Sequence, residues 1–301
     1  MNSPDLSGCR IAVLGGDARS LFYIPALMSA GATVKAVGME KAVRLIPCQL
    51  SSLQDALLWA NVLVLPMGGI AEDGTVSAQY SDSRLALTME NGSLVRSGCL
   101  VLTGVARNRL RQMAGRLNWR LVEIIDDDQL AILNSVPSAE GALQMAMEAS
   151  DITIHHSSSF VLGYGRVGTT LANALSGLSA RVTVVARKPV DLARIQSFGH
   201  RAVPFAELAH HIHQADFIYN TVPALVLGES LLQETAPEVV IIDIASSPGG
   251  VDYAAAERLG RKAILAPSLP GRVAPRTAGR ILGELLPKII KEHFERRIEW
   301  S

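Results

Sequence analysis

Residues 160–189, "FVLGYGRVGTTLANALSGLSARVTVVARKP", carry the clearest structural signal in the chain. An apolar strand pattern leads into Gly163, Gly165 and Gly168 in G-x-G-x-x-G spacing, and a helical pattern and a second strand pattern follow. In that context the first glycine permits a tight turn, the second lets the backbone approach a pyrophosphate, and the third lets the helix pack closely on the strand. The stretch therefore predicts a dinucleotide-binding βαβ unit that begins past the middle of the chain.

The alternation of apolar runs and helical patterns extends in both directions from this stretch, which is typical of βαβ units and a parallel sheet. A length of 301 residues suits two domains. We predict an α/β protein of two Rossmann-like parallel-sheet domains with a cleft between them, the first formed by residues 1–134 and the second by residues 135–275. Residues 276–301 follow the last strand with an amphipathic helix pattern, and we expect this helix to return to the first domain.

Individual elements can be predicted within this frame. Pro137 is expected to open a helix, because proline suits a first helical turn, and residues 205–213 are expected to form another helix. The predicted strands of the first half are RIAVLG, TVKAVG, VLVLP, CLVLTG and RLVEII. Those of the second half are SSSFVLG, RVTVVA, RAVPF, ADFIYNTVP, EVVIIDIA and KAILAP.

The composition excludes several classes of function. Lysine plus arginine and aspartate plus glutamate both number 28, so the chain has no net charge to attract nucleic acid or a membrane surface. It has no long apolar run and no N-terminal signal pattern, so we expect a cytoplasmic protein. Cys9 and Cys99 adjoin apolar strands and should be buried thiols. His210 and His213 have no further ligand nearby, so we expect no metal site.

The end of the second strand of the βαβ unit indicates the nucleotide. An NAD site places an acidic residue there to bind the ribose 2′-hydroxyl, whereas this chain has Ala186, Arg187 and Lys188. Two cations without a carboxylate could pair with a 2′-phosphate, Arg187 in a bidentate manner. We therefore predict NADP as the cofactor, with solvated turn residues as the alternative interpretation of Arg187 and Lys188.

Further contacts are expected in the loops that follow later strands, because ligands bind beyond the carboxyl ends of parallel strands. These loops contain NTVPA, DIASSPGG and APSLPGRVAP, with hydroxyl donors on Thr221, Ser246 and Ser247. The predicted cofactor-binding residues are Gly163, Gly165, Arg166, Val167, Gly168, Arg187, Lys188, Thr221, Val222, Pro223, Asp243, Ala245 and Ser246.

The first half has its own glycine turn, "VLGGDARS", at residues 13–20, but this turn lacks the three-glycine spacing. Asp17 would place a carboxylate where a pyrophosphate should lie, so we expect no second dinucleotide there. Arg19 and the helix amides could instead hold a substrate carboxylate, with a solvated arginine as the alternative. Asp17 could cap the helix, orient Arg19 or, with lower weight, act as a general base.

A third candidate segment is "NSVPSAEGA", residues 134–142, at the expected junction of the domains. Asn134 and Ser135 offer neutral hydrogen bonds, and Glu140 is either a site residue or a capping acid. No catalytic acid or base is established, and Asp17 and Glu140 are the candidates. The predicted substrate-binding residues are Gly16, Asp17, Arg19, Asn134, Ser135, Ser246, Gly271 and Arg272.

With these residues identified, the chain resembles the dipicolinate synthase A-subunit family of spore-forming bacteria nearly end to end. The resemblance rests on IAVLGGDAR, NSVPSAEGALQMAM, VLGYGRVGTTLA, DIASSPGGVDY and APSLPGRVAPRTAG. It implies NADP-dependent oxidation of dihydrodipicolinate, or its hydrated precursor, to pyridine-2,6-dicarboxylate during sporulation. It also implies the flavoprotein-like B-subunit of dipicolinate synthase as partner and a place in the cytoplasm of the mother cell; a homo-oligomer is a further expectation.

Two other functions stay open on the residues alone. One is a 2-hydroxyacid or shikimate-type dehydrogenase, although the expected histidine–acid or lysine–aspartate pair is not evident. The other is a nucleotide-sensing regulatory protein that does no chemistry. A dicarboxylate substrate would need two anchors, and Arg19 with either Arg272 or Arg276 could supply them.

Overall fold

The protein is described by a computed structural model that covers residues 4–246 and 248–295. It divides into two compact units. The first consists of Met1–Ala131 with Pro275–Ser301, and the second is Ile132–Ala274. The sequence placed these divisions at 134/135 and 275/276.

The first unit is built on a six-stranded parallel sheet with the strand order β3-β2-β1-β4-β7-β8. The chain enters in the middle, winds to one edge, and returns to build the other half, so its switch point lies between β1 and β4. An antiparallel pair, β5 and β6, stands apart from this sheet. The strands are β1 Arg10–Leu14, β2 Thr33–Val37, β3 Gln49–Leu50, β4 Val62–Val64, β5 Thr75–Val76, β6 Leu85–Ala86, β7 Leu100–Thr103 and β8 Arg120–Glu123.

Helices connect these strands. Their bounds are α1 Ser20–Ser29, α2 Leu53–Trp59, α3 Met89–Gly92, α4 Asn108–Arg116 and α5 Asp128–Ala149. Helix α5 begins in the first unit and continues into the second.

The second unit repeats the design, with the parallel order β11-β10-β9-β12-β13-β14 and its switch point between β9 and β12. Its strands are β9 Ser158–Leu162, β10 Arg181–Ala186, β11 Arg201–Pro204, β12 Phe217–Asn220, β13 Val240–Asp243 and β14 Lys262–Leu265. Its helices are α6 Arg166–Gly177, α7 Pro189–Ser197, α8 Glu229–Gln233, α9 Tyr253–Arg258 and α10 Leu269–Val273. The last helix of the chain, α11 Pro275–Glu295, belongs to the first unit.

The second sheet is covered on both faces, which explains its unbroken apolar strands. Phe160 and Leu162 of β9 belong to one apolar cluster, whereas Val161 between them belongs to another. Successive side chains of a strand point to opposite faces, so both faces of this sheet are dry. The predicted α/β fold with two parallel sheets is confirmed.

Helix α11 packs on α1 through two glycines. A Cβ atom on Gly279 would lie 2.6 Å from the carbonyl oxygen of Arg19, and one on Gly283 would lie 2.8 Å from Cβ of Ala26. Near the other end of α11, Nη1 of Arg120 donates a hydrogen bond of 2.8 Å to the carbonyl oxygen of His293. The C-terminal helix therefore returns to the first unit, as its position after the last strand predicted.

Pro137 does not open a helix, contrary to the sequence-based prediction. It lies inside α5, which starts at Asp128. Proline removes one backbone hydrogen bond from a helix interior, and serine hydroxyls bind the neighbouring carbonyl groups. Ser135 Oγ donates to the carbonyl oxygen of Ile132 at 2.6 Å, and Ser138 Oγ donates to that of Asn134 at 2.8 Å.

The helix expected over residues 205–213 is also corrected. Two 3₁₀ turns, Phe205–His210 and Ile212–Gln214, occupy this stretch, so His210 and His213 do not share an α-helical face. The turns bury Leu208 and Ile212, and short 3₁₀ pieces are common as connectors. Across the described residues, no helix combines the length and apolar character needed to cross a bilayer.

Candidate functional site

The three glycines of residues 163–168 have the geometries that a dinucleotide turn requires. Gly163 has φ +97°, and a Cβ on it would lie 2.5 Å from Thr221 Oγ1. A Cβ on Gly168 would lie 2.2 Å from the carbonyl oxygen of Gly163, so this position sets the close approach of helix and turn. Around Gly165, by contrast, a Cβ would meet no described atom within 4 Å. The middle glycine therefore presents open backbone to a ligand.

Helix α6 starts immediately after this open position. Gly165 is its N-cap residue, and Arg166 and Val167 form the first turn, which contains no acidic side chain. The unpaired amides and the helix dipole at such an N-terminus favour an anion. A pyrophosphate fits this combination of bare glycine, helix N-terminus and absent carboxylate.

Arg187 and Lys188 follow the end of β10 and are both exposed. Neither side chain forms a hydrogen bond or ion pair with the residues that the structure describes. Lys188, directly after Arg187, is the N-cap residue of α7, whose first turn contains one acid, Asp191. A 2′-phosphate would meet two exposed cations here.

The loops after β12 and β13 are joined by buried polar groups. Asn220 and Asp243, the last residues of these strands, are both 0% exposed, and Asn220 Nδ2 donates to Asp243 Oδ1 at 2.9 Å. Thr221 Oγ1 donates to the carbonyl oxygen of Leu162 at 2.9 Å, which ties the first loop to β9. These bonds place Val222, Pro223 and Ser246 at the carboxyl edge of the sheet.

Two of the predicted cofactor contacts, Asp243 and Ala245, are buried in this arrangement. The side chains of Asp243 and Ala245 are buried, and the amide of Ala245 donates to Asp243 at 3.1 Å. Both residues hold the loop together, and their contact with the cofactor stays a prediction. Val222 and Thr221 are half-buried, Ser246 and Pro223 are exposed, and Ser247 lies outside the described residues.

In the first unit, the glycine turn has the same backbone plan with different side chains. The amide of Gly15 donates to the carbonyl oxygen of Val37, as that of Gly163 donates to Val185. Asp17 therefore stands in the position of Gly165, and Ser20 in that of Gly168.

The chain itself covers this first turn. The amide of Gly16 donates to the carbonyl oxygen of Ser77 at 2.7 Å, and the amide of Gln79 donates to that of Gly16 at 2.9 Å. A Cβ on Gly15 would lie 2.3 Å from the same Ser77 oxygen. Residues 77–79 thus lie against the glycine turn and engage the backbone of Gly16, next to the position equivalent to Gly165, and this covering together with the Asp17 carboxylate argues against a dinucleotide here.

Asp17 and Arg19 form an ion pair. Arg19 Nε donates to Asp17 Oδ1 at 2.9 Å, Nη2 donates to Oδ2 at 2.5 Å, and the Arg19 amide also donates to Oδ1. Burial acts to raise the pKa of Asp17, but hydrogen bonding and the charge of Arg19 outweigh it, so the pKa lies below its ordinary value. Of the expected roles, orientation of Arg19 fits best. A carboxylate of low pKa is a weak general base at neutral pH.

The ion pair borders a cavity of about 20 Å³, room for roughly one water molecule. Tyr23 OH accepts a hydrogen bond of 3.0 Å from Ser20 Oγ at this cavity, and burial raises the pKa of Tyr23 to about 12. A pyridine ring does not fit inside, so a substrate must contact the half-exposed Asp17 edge or displace the pair. The lining residues are Gly16, Asp17, Arg19, Ser20, Tyr23, Val64, Leu65, Pro66, Met67, Leu102, Ile124, Leu282 and Leu286.

The remaining predicted residues have different surroundings. Ser135 is buried and lies 2.6 Å, oxygen to oxygen, from Thr170 of α6, so its hydroxyl joins two helices and is not available to a substrate. Asn134 Oδ1 is buried without a hydrogen-bond partner among the described residues, which leaves it able to accept one. Glu140 is exposed on α5, and Arg272 is exposed on α10 next to Gly271.

A curated relative decides the family. The A-subunit of dipicolinate synthase from Bacillus subtilis (strain 168) is 36% identical over 293 residues, which is 95% of this chain and 97% of the relative. The chain belongs to the dipicolinate synthase A-subunit family.

Solved structures and family models agree with this membership. The dipicolinate synthase A-subunit from Bacillus halodurans matches with a TM-score of 0.92 and 36% identity, covering 95% of this chain and 99% of that one. The corresponding polypeptide of dipicolinate synthase from Bacillus subtilis matches with a TM-score of 0.90 and 34% identity, covering 97% and 99%. Residues 10–125 match the N-terminal domain of the dipicolinate synthase A-subunit, and residues 130–293 match the alanine dehydrogenase/PNT C-terminal domain.

For this member of the dipicolinate synthase A-subunit family, these matches support a role in dipicolinate synthesis, an oxidoreductase activity and a domain that takes a nicotinamide dinucleotide. Sequence reasoning missed three polar residues near the candidate sites: Ser20, Tyr23 and Tyr253. Ser20 and Tyr23 are three residues apart on α1, a spacing that puts two side chains on one helix face and could have indicated them. Tyr253 carries no such signal.

Proposed function

We propose that this protein catalyses the NADP-dependent oxidation of dihydrodipicolinate, or its hydrated precursor, to dipicolinate. The observation that carries the proposal is the turn of residues 163–168, with its open Gly165, followed by Arg187 and Lys188 where an NAD site would have an acid. The α6 N-terminus would hold the pyrophosphate, and the two cations would hold the 2′-phosphate. NADP bound in this way would supply the hydride acceptor.

The reaction asks little acid–base work of the protein. A dihydropyridine ring that gives up one hydride and releases one proton to solvent becomes aromatic, which is energetically downhill. The main requirement is orientation of the ring against the cofactor. The loops after β12 and β13, with Val222, Pro223 and Ser246 accessible, would form the surface on the nicotinamide side.

The substrate carries two carboxylates and needs cationic or amide anchors. Arg19 is one candidate, because its ion pair with Asp17 uses Nε and Nη2 and leaves further N–H donors. Arg272 and Arg276, both exposed, are candidates for the second. The flavoprotein-like B-subunit would be the partner, and the mother-cell cytoplasm of a sporulating bacterium the site of action.

The test is the appearance of NADPH absorbance when the purified protein meets freshly generated dihydrodipicolinate, with and without the B-subunit. We expect NADPH in the presence of substrate and none with 2-hydroxyacids or shikimate. Gly168→Ala is the inactive control, because its Cβ would lie 2.2 Å from a carbonyl oxygen of the turn. NADPH binding without turnover, even with the partner present, would favour the nucleotide-sensing alternative and overturn the proposal.

A further inference from the structure

Asp243 is a fully buried carboxyl group at the carboxyl end of β13. It forms no ion pair within the described part of the chain, since the salt bridges there involve other acids. Burial of an acid without a cation is costly unless hydrogen bonds satisfy its oxygens. The groups that surround Asp243 therefore explain why it is tolerated.

Four donors converge on this carboxyl group. Asn220 Nδ2 lies 2.9 Å and the Ala245 amide 3.1 Å from Oδ1, while the Gly250 amide lies 2.7 Å and Tyr253 OH 2.8 Å from Oδ2. All four are donors, which matches a carboxylate, because a carboxylate only accepts. One donor comes from the end of β12, and the other three come from the loop after β13 and the start of α9.

Asn220 extends the network into the loop after β12. Its Nδ2 also donates to the carbonyl oxygen of Val222 at 3.1 Å, and its Oδ1 accepts from the Val222 amide at 3.1 Å. The amides of Val226 and Leu227 then donate to the carbonyl oxygen of Gly250. The two loops are thus joined both through Asp243 and directly.

The glycines of this region fit tightly around the same pair. A Cβ on Gly249, which has φ +89°, would lie 2.4 Å from Asp243 Oδ2, and a Cβ on Gly250 would lie 2.4 Å from Asn220 Nδ2. Burial raises the pKa of Tyr253, and its hydrogen bond to Asp243 raises it further, so the phenol stays a donor at neutral pH. Packing around Asp243 and Asn220 therefore favours glycine at both of these positions.

We propose that Asp243 is a positioning residue: through Asn220 and Tyr253 it fixes the two loops that would contact the nicotinamide half of the cofactor, without touching cofactor or substrate itself. This inference rests on the proposed function for the identity of the ligand. The supporting fact is placement: the network lies at the carboxyl ends of β12 and β13, next to the switch point where ligands bind in such sheets. A residue that only stabilises the fold would not need to lie at the edge of the sheet where ligands bind.

The matched control is Asp216→Asn. Asp216 Oδ2 accepts a hydrogen bond of 2.7 Å from the Ser158 amide, but at the amino end of the same sheet. Asp243→Asn puts an amide N–H among four donors, and we expect it to weaken NADPH binding about 10-fold or more, because unsatisfied buried donors loosen the two loops. Asp216→Asn should lower the Tm while leaving the Kd for NADPH within about twofold.

The measurements are Kd by NADPH fluorescence, Tm, and hydrogen exchange in the two loops. An unchanged Kd for Asp243→Asn, with a fall in Tm like that of the control, would overturn the proposal. If Asp243→Asn does not fold, Tyr253→Phe is the second variant, because it removes one donor to Asp243 and leaves three. It should still weaken NADPH binding measurably. An unchanged Kd for NADPH would again overturn the inference. If the wild-type protein binds no dinucleotide, the proposed function fails. Hydrogen exchange still tests the inference in that case: faster exchange of both loops in the variant would support the role of Asp243 in fixing them, and unchanged exchange would reject it.

Discussion

Gly165 and Asp17 hold equivalent positions in two turns of the same backbone plan. The side chain at this position determines whether an anion can approach the turn. Gly165 has no side chain and open space before it, so an anion can reach the amides of α6. Asp17 fills the corresponding space with a carboxylate and binds Arg19. The Asp17 side chain thus places an ion pair where the second unit has open backbone.

Arg187→Ala should weaken NADP binding far more than NAD binding. A charge-assisted hydrogen bond to the 2′-phosphate is worth about 1.5–3 kcal/mol, hence roughly 10- to 150-fold in Kd. Titration with both reduced cofactors measures the two losses. Arg194→Ala, an exposed arginine of the following helix, is the control and should change neither. Equal losses for NADP and NAD would contradict the NADP assignment.

Arg19→Ala should raise the KM for dihydrodipicolinate strongly and leave the Kd for NADP within about twofold, because it removes substrate binding and no cofactor contact. It also leaves the Asp17 carboxylate unpaired beside an anionic substrate. Arg19→Lys is the matched comparison: it keeps the charge but loses the planar bidentate geometry, so an intermediate KM is expected. If the steady-state KM is unchanged in Arg19→Ala, Arg19 does not bind the substrate.

The pair also predicts a pH dependence of stability. The folded pKa of Asp17 lies below its ordinary value of 3.8, so the unfolded chain takes up the proton first as the pH falls. The stabilisation is therefore complete above about pH 4 and is lost as the pH falls through the folded pKa. Tm measured from neutral to acid pH should fall less steeply for Asp17→Asn than for the wild type. Parallel curves would show that the pair contributes nothing.

Helix α11 bears on the same site although it lies far away in the sequence. Its Gly279 approaches the backbone of Arg19, and its Leu282 and Leu286 line the cavity beside the ion pair. The position of Arg19 therefore depends on the packing of α11 against α1. Helix α5 also departs from what its local sequence predicts, since it continues through Pro137 although proline usually ends or kinks a helix.

Gly279→Ala should destabilise the protein by about 1–3 kcal/mol, the usual cost of overpacking, because its Cβ would meet the Arg19 carbonyl oxygen at 2.6 Å. We also expect a raised substrate KM as Arg19 moves. Gly115→Ala in α4 is the matched control: its Cβ would meet no described atom within 4 Å, and it should stabilise by about 0.5–1 kcal/mol. Denaturant unfolding distinguishes the two, and similar free energies would contradict the packing argument.

The two units share one strand order but differ in what lies over the glycine turn. Both six-stranded sheets are wound in the same way, with a switch point beside the first strand of each unit. In the second unit the edge at the switch point is bare at Gly165, whereas in the first unit residues 77–79 cover the glycine turn. The repeated fold therefore presents one open glycine turn and one covered glycine turn.

Calorimetric titration should accordingly give one NADPH per chain. The covered turn and Asp17 leave no place for a second pyrophosphate in the first unit. Gly168→Ala should reduce the stoichiometry to zero, while Asp17→Gly should leave it at one, because residues 77–79 still occupy the first turn. Two NADPH molecules bound to the wild-type chain would contradict this division of roles.

The predicted strands and the glycine turn were found in place because both signals are local. Apolar runs with intervening helical periods are read within a few residues, and Gly163, Gly165 and Gly168 lie in one turn. Short elements escaped prediction for the same reason: β3, β5 and β6 have two residues each, too few for a periodic pattern. The start of the long helix α5 escaped because Pro137, a residue that suits a first helical turn, lies in the interior of this helix.

The contacts that give the candidate sites their chemistry depend on which strands become neighbours. Asn220 meets Asp243 because β12 pairs with β13, and Ser77 reaches Gly16 because a distant segment folds over the first turn. Asp17 and Arg19 are close in sequence, yet α11 and the cavity set the surroundings that bury their charges. Composition and periodicity carry no information about such pairings, since they arise from packing between segments far apart in the chain. The order of the strands and the burial of these segments determine the pairings.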